Sequence, residues 1–127
     1  MTQLLMVGLG GFLGAVSRFL LAALVQGAAG DRVPYGTLAV NVVGCAVIGA
    51  VTALAETRGG LSDGLRLFLV VGLLGGFTTF SAFGNETLAL LRAGEVGPAA
   101  ANVLENVLLA IGAVWVGRLV AQTVVSG

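Results

Sequence analysis

The feature that most constrains this 127-residue chain is the spacing of its charges. They leave four apolar runs, about 4–26, 36–55, 65–91 and 98–125. Crossing a hydrocarbon core takes about 20 apolar residues in a helix, and each run has that length. Gly27, Gly30, Asp31 and Pro34 close the first run, and Glu56, Arg58, Gly59 and Gly60 the second. Arg92, Gly94 and Glu95 close the third, and Pro98 suits the first turn of the fourth. Charged residues make up 9% of the chain and hydrophobic ones 57%, where a soluble domain carries roughly 25% charged. In water such a surface would expose apolar patches that soluble monomers rarely tolerate. The expected fold is therefore all-α and integral to the membrane: one domain, 1–127, of four transmembrane helices. It is a multi-pass protein of the cell (inner) membrane with the lipid bilayer as solvent. The first run has no positive stretch ahead of it and no small-x-small cleavage site before Asp31, so a retained span is expected, not a signal peptide.

Six arginines balance six carboxylates, with no lysine and no histidine. No basic block or stripe is present, which excludes a nucleic-acid partner. The lone cysteine, Cys45, excludes an intrachain disulfide and a Cys/His metal site; its expected role is small-residue packing. No nucleophile–base pair can be assembled, so no enzyme is expected. Arg58, Arg66 and Arg118 fall on the side of the N-terminus, and Arg32 and Arg92 on the other. Three against two gives almost no orientation by the positive-inside rule. A chain without bias is able to insert both ways up, which permits an antiparallel homodimer.

Small residues are spaced for close helix contact. Gly10 and Gly14, then Gly72 and Gly76, are small-xxx-small pairs, and Gly8, Gly11 and Ala15 thicken the first set. Polar residues in the spans are costly and so point to function. The third run reads Gly75-Gly-Phe-Thr-Thr-Phe-Ser-Ala-Phe83, with Gly72, Gly75 and Gly76 ahead of Thr78, Thr79 and Ser81. Either the helix breaks there and frees carbonyls for an ion site, or it continues with Ser and Thr bonded to their own backbone. Phe80 and Phe83, three apart, share a helix face; their rings either pack or turn a positive edge to an anion. Asn41, one turn beyond Thr37, is able to donate to an anion or to clamp two helices. Arg18, deep in the first run, either draws anions into a vestibule or snorkels to the interface. Glu86 and Glu105 are the acids nearest the spans, and Asn102 and Asn106 form a polar stripe on the fourth.

These segments, with Gly36-Thr-Leu-Ala-Val-Asn-Val-Val-Gly44 and Gly11-Phe-Leu-Gly-Ala-Val-Ser-Arg18, strongly resemble the Fluc (CrcB) family of fluoride channels over the whole chain. The resemblance implies a fluoride-selective passive channel that exports fluoride and lowers its toxicity. It implies an antiparallel, dual-topology homodimer whose third helices break near the midplane. There they cage a structural Na+, which is not transported, with main-chain carbonyls of Gly75 and Thr78. By motif position Phe80 and Phe83 present ring edges to fluoride, Asn41 lies beside the pore and Arg18 in the vestibule. Thr79, Ser81 and Glu86 follow a polar track, and Asn106 takes the polar position of the fourth span. Ala82 stands where some relatives have a second Ser or Thr. The alternative is a small dual-topology cation or drug antiporter, which needs a carboxylate in its first span; this first span carries only Arg18. A helical assembly subunit would explain the glycines but not Asn41, Arg18 and the third-span motif together.

Overall fold

A computed structural model describes all 127 residues. Helix α1 (Thr2–Ala29) is followed by α2 (Tyr35–Thr57). The third span is composite: α3 (Asp63–Arg66), a π-helical segment (Leu67–Leu74), α4 (Gly75–Phe77) and α5 (Phe80–Arg92). Helix α6 (Val96–Ser126) completes the chain. Four helical stretches, Thr2–Ala29, Tyr35–Thr57, Asp63–Arg92 and Val96–Ser126, are long and apolar enough to cross a membrane. Each begins and ends within a few residues of the run read from the sequence. The protein is a multi-pass membrane protein.

Local chemistry sets the ends. Ser62 caps α3 by accepting from the Leu65 amide. At the close of α5, Gly94 adopts φ 79°, which a side chain would resist. The Gly94 amide reaches the Leu91 carbonyl at 3.1 Å and the Glu95 amide the Leu90 carbonyl at 2.9 Å. This paired closure satisfies two terminal carbonyls and turns the chain straight into α6.

Two helix pairs carry the packing. Helix α1 lies along the π-helical segment and α4, and α2 lies along α6. The first contact uses the glycines expected to make it. A Cβ on Gly76 would stand 2.6 Å from the Gly11 carbonyl oxygen, and one on Gly72 2.8 Å from that of Val7. Gly10 and Gly14 likewise face the backbone of Leu73. Gly8 differs, because nothing lies within 4 Å of its Cβ position, so it belongs to the outer face of α1. The second contact rests on glycines whose role was not anticipated. A Cβ on Gly49 would come within 3.0 Å of Val114 Cα, and one on Gly117 within 3.1 Å of Ala46 Cα. In lipid, where apolar burial no longer drives association, such backbone approach holds helices together.

Two residues break the third span. Thr78 lies at φ −82°, ψ 158° and Thr79 at φ −149°, ψ 120°, both extended. The glycines ahead of them stay helical, with Gly75 at φ −62°, ψ −38°. The break therefore falls just after the glycine cluster, on the threonines. Upstream, the Gly75 amide reaches back five residues to the Val70 carbonyl, the wide turn of a π-helix.

Candidate functional site

The break is held from outside. Asn41, on α2, clasps the backbone of Thr79: its Nδ2 donates to the Thr79 carbonyl at 3.0 Å, and its Oδ1 accepts the Thr79 amide at 2.9 Å. Its other amide hydrogen goes to Asn106 Oδ1 on α6 at 3.1 Å. Of the two roles open to Asn41, the structure fills the interhelical clamp, with both amide hydrogens on protein oxygens. Thr79 then caps α5, its Oγ1 accepting the Ala82 amide at 3.2 Å.

This arrangement removes the helical partners of two carbonyls. In an unbroken helix Gly75 C=O would accept from the Thr79 amide and Thr78 C=O from the Ala82 amide. Here those amides go to Asn41 Oδ1 and Thr79 Oγ1 instead, and neither carbonyl regains them. Gly75 lies on the exposed surface of the chain. A free carbonyl at membrane depth is tolerated only against protein or a wet cavity.

Hydroxyl bookkeeping separates occupied donors from free ones. Thr78 Oγ1 donates to the Leu74 carbonyl at 3.0 Å and is engaged. Thr79 Oγ1 accepts from Ala82, which leaves its own hydrogen free, and Ser81 Oγ lies 3.4 Å away on the surface. Thr37 Oγ1 meets Glu86 Oε1 at 2.6 Å. The second oxygens of Glu86 and Glu105 are buried without a partner.

Two cavities flank the break. One, of about 330 Å³, is lined by Asn41, Thr79, Phe80, Phe83 and Asn106, with Gly44, Cys45 and Ile48 on its apolar side. The other, of about 500 Å³, holds Arg18, Gln26, Thr37, Thr79 and Glu86. Thr79 is the one residue that lines both. The residues singled out in the sequence thus divide into two groups that meet at Thr79. Phe80 and Phe83 have ring centroids 5.4 Å apart at 50°, and Phe80 is 82% exposed on the single chain. Arg18 makes no ion pair, since the chain's one salt bridge joins Arg118 and Glu56 at the N-terminal side. Glu105 lines neither cavity.

Residues not placed in the site beforehand prove to belong to its support. Asn102 is 1% exposed and bonds both Thr87 and Asn106. Gln26 donates to the Val33 carbonyl at 3.0 Å and accepts the Gly36 amide at 3.0 Å, fixing the α1–α2 turn at the mouth of the larger cavity. Its polarity near the end of an apolar run was the available signal.

A membrane-embedded four-span bundle with a broken third span between two cavities, one aromatic and one holding an arginine, is the architecture of a small transport protein. The chain matches the family described as CrcB-like protein, Camphor Resistance (CrcB) over residues 5–118, and it belongs to that family. Its relatives include proteins named fluoride-specific ion channel FluC. That of Methylobacillus flagellatus is 46% identical over 125 residues, 97% of this chain and 98% of the relative. That of Geobacter sulfurreducens is 45% identical over 122 residues, covering 96% and 98%. That of one Thermus thermophilus strain is 48% identical over 121 residues, covering 95% and 90%. None of these names supports the antiporter alternative.

Proposed function

We propose that the protein is a passive fluoride channel built from two antiparallel copies of itself. The observation that carries this reading is the meeting of the two cavities at Thr79, a residue with a free hydroxyl donor. Fluoride holds its hydration tightly, so a path for it must replace water with neutral donors and release the ion again. Thr79 and Ser81 supply hydroxyls at the break, and no cationic side chain lines the aromatic cavity. Phe80 and Phe83 offer ring edges, the positive part of the quadrupole, without a charge to trap the ion. Asn41 and Asn106 form the polar wall of that cavity. Arg18 draws anions into the larger one, where Thr37 and Glu86 complete the polar lining. The permeant ion is the one in the relatives' printed name.

The second copy has its own support. An 82% exposed Phe80 and an exposed Gly75 whose carbonyl lacks its helical amide are incomplete alone. A partner helix related by inversion in the membrane would cover both, and the near-balanced arginines permit it. Gly75 and Thr78 carbonyls fit a hard cation such as Na+, which unwound main-chain carbonyls coordinate at membrane breaks; when bound, the ion would tie the two third spans together.

Efflux from liposomes tests the function. Vesicles loaded with potassium fluoride and reconstituted with the purified protein are triggered with valinomycin and read by a fluoride electrode, beside chloride-loaded controls. Rapid fluoride release with little chloride release is expected; no fluoride release from folded dimers overturns the reading.

A further inference from the structure

Five hydrogen bonds run head to tail from the break, through α2 and α6, and back to α5. The Thr79 amide donates to Asn41 Oδ1 (2.9 Å), Asn41 Nδ2 to Asn106 Oδ1 (3.1 Å) and Asn106 Nδ2 to Asn102 Oδ1 (3.1 Å). Asn102 Nδ2 then donates to Thr87 Oγ1 (2.9 Å), and Thr87 Oγ1 to the Phe83 carbonyl (2.7 Å). Both ends of the chain lie on the third span, and they bracket the first turn of α5, Phe80 to Phe83.

Main-chain groups dictate the direction of every link. The Thr79 amide can only donate and the Thr79 carbonyl only accept, so Asn41 has one allowed orientation. Its Nδ2 then requires an oxygen from Asn106. Asn106 is fixed a second time, because its Nδ2 also donates to the Asn102 carbonyl at 2.9 Å. That leaves Asn102 to accept with Oδ1 and donate with Nδ2. The Thr87 hydroxyl receives that donation and passes its own hydrogen to Phe83. Reversing any one amide would set donor against donor on one side and acceptor against acceptor on the other. A series of amides aligned in one direction polarises along its length, and buried polar groups left unpaired are costly, so the series behaves as a unit.

We propose that Asn102 and Thr87 are positioning residues for the conduction path, holding the Phe80–Phe83 turn against the break through this one-way chain. Neither residue lines the two cavities that meet at Thr79, and Asn102 is 1% exposed. Neither touches a permeating ion, so any effect of changing them on flux is transmitted through Asn106 and Asn41. The flux arm of the test rests on the fluoride-channel reading.

Asn102→Leu keeps the volume and removes every polar atom, and Thr87→Val removes one hydroxyl while keeping the shape. Each variant is reconstituted for fluoride efflux, and the Thr79 amide resonance is followed in threonine-labelled protein. Both variants are expected to lower flux about fivefold or more, the scale set by one lost buried hydrogen bond, and to move the Thr79 amide resonance. Thr87→Ser, which restores the hydroxyl, keeps wild-type values of both. The double variant is no slower than Asn102→Leu alone, because the chain is already cut. Wild-type flux in folded dimers of either single variant overturns the proposal, as does an unmoved Thr79 resonance in both. If Asn102→Leu fails to assemble, Thr87→Val carries both measurements. If even the wild-type protein releases no fluoride, the channel reading fails by itself, and the Thr79 resonance decides the positioning role.

Discussion

Replacing Asn41 by Asp tests the clamp at the break with a change of one group, amide to carboxylate. Oδ1 still accepts the Thr79 amide, so the extended conformation at the break keeps its anchor. The Nδ2 donor is lost, and with it the bonds to the Thr79 carbonyl at 3.0 Å and to Asn106 Oδ1 at 3.1 Å. Both acceptors then face a carboxylate oxygen. Leaving one buried acceptor unsatisfied costs about 1–3 kcal/mol, so two cost roughly 2–6 kcal/mol. At about 1.4 kcal/mol per factor of ten, the lower bound alone corresponds to a roughly 30-fold loss of the competent arrangement. The new negative charge on the wall of the aromatic cavity opposes an anion further. Fluoride efflux from liposomes, normalised to dimer recovered by size exclusion, is the assay. Flux from Asn41→Asp within a factor of about two of wild type would falsify the reasoning, because two unmet acceptors and a carboxylate cannot both be silent.

Three further outcomes follow from the geometry. Phe80→Ile and Phe83→Ile remove the ring edges while keeping bulk, so each is expected to cut fluoride flux sharply with the dimer intact; unchanged flux in both would leave the rings as packing alone. Gly117→Ala drives a methyl group into the Ala46 backbone, and overpacking of this kind costs typically about 1–3 kcal/mol, whereas Gly8→Ala has open space around it. Thermal unfolding in detergent should fall for the first and stay level for the second, and the reverse order would contradict the α2–α6 contact. Exhaustive replacement of Na+ by a bulky organic cation should weaken the dimer or its flux, and full assembly and flux without Na+ would remove the carbonyl cage.

The spans were legible because length and charge spacing alone decide what crosses a bilayer. The α1 contact with the third span was legible for a similar reason, since Gly10, Gly14, Gly72 and Gly76 lie at i and i+4. The companion contact was written the same way, in Gly49 with Ala53 and Gly117 with Ala121, but isolated small pairs in a chain with 21 glycines do not single themselves out. The break was placed among the glycines because glycine weakens a helix. In the structure glycine only permits it, and Asn41 and the cap of Thr79 decide where it falls. That choice depends on a residue 38 positions away, which local propensity does not contain. The same limit applies to Asn102: its spacing from Asn106 showed a stripe, while its bond to Thr87 exists only once α5 and α6 are side by side.

The π-helical turn ahead of the break has a consequence for how this chain tolerates change in length. Residues 67–74 close hydrogen bonds over five residues instead of four, so they lag behind an α-helix in rotation. Gly72 and Gly76 meet α1, and Thr79 meets Asn41, in the register this lag sets. A substitution inside the segment leaves the register alone, but a one-residue deletion tightens the turn and rotates everything downstream away from both partners. The segment should therefore accept varied apolar side chains and reject single-residue indels, a contrast that deletion scanning read by dimer yield would expose. For this stretch of the membrane, inheritance acts on residue count more strictly than on residue identity.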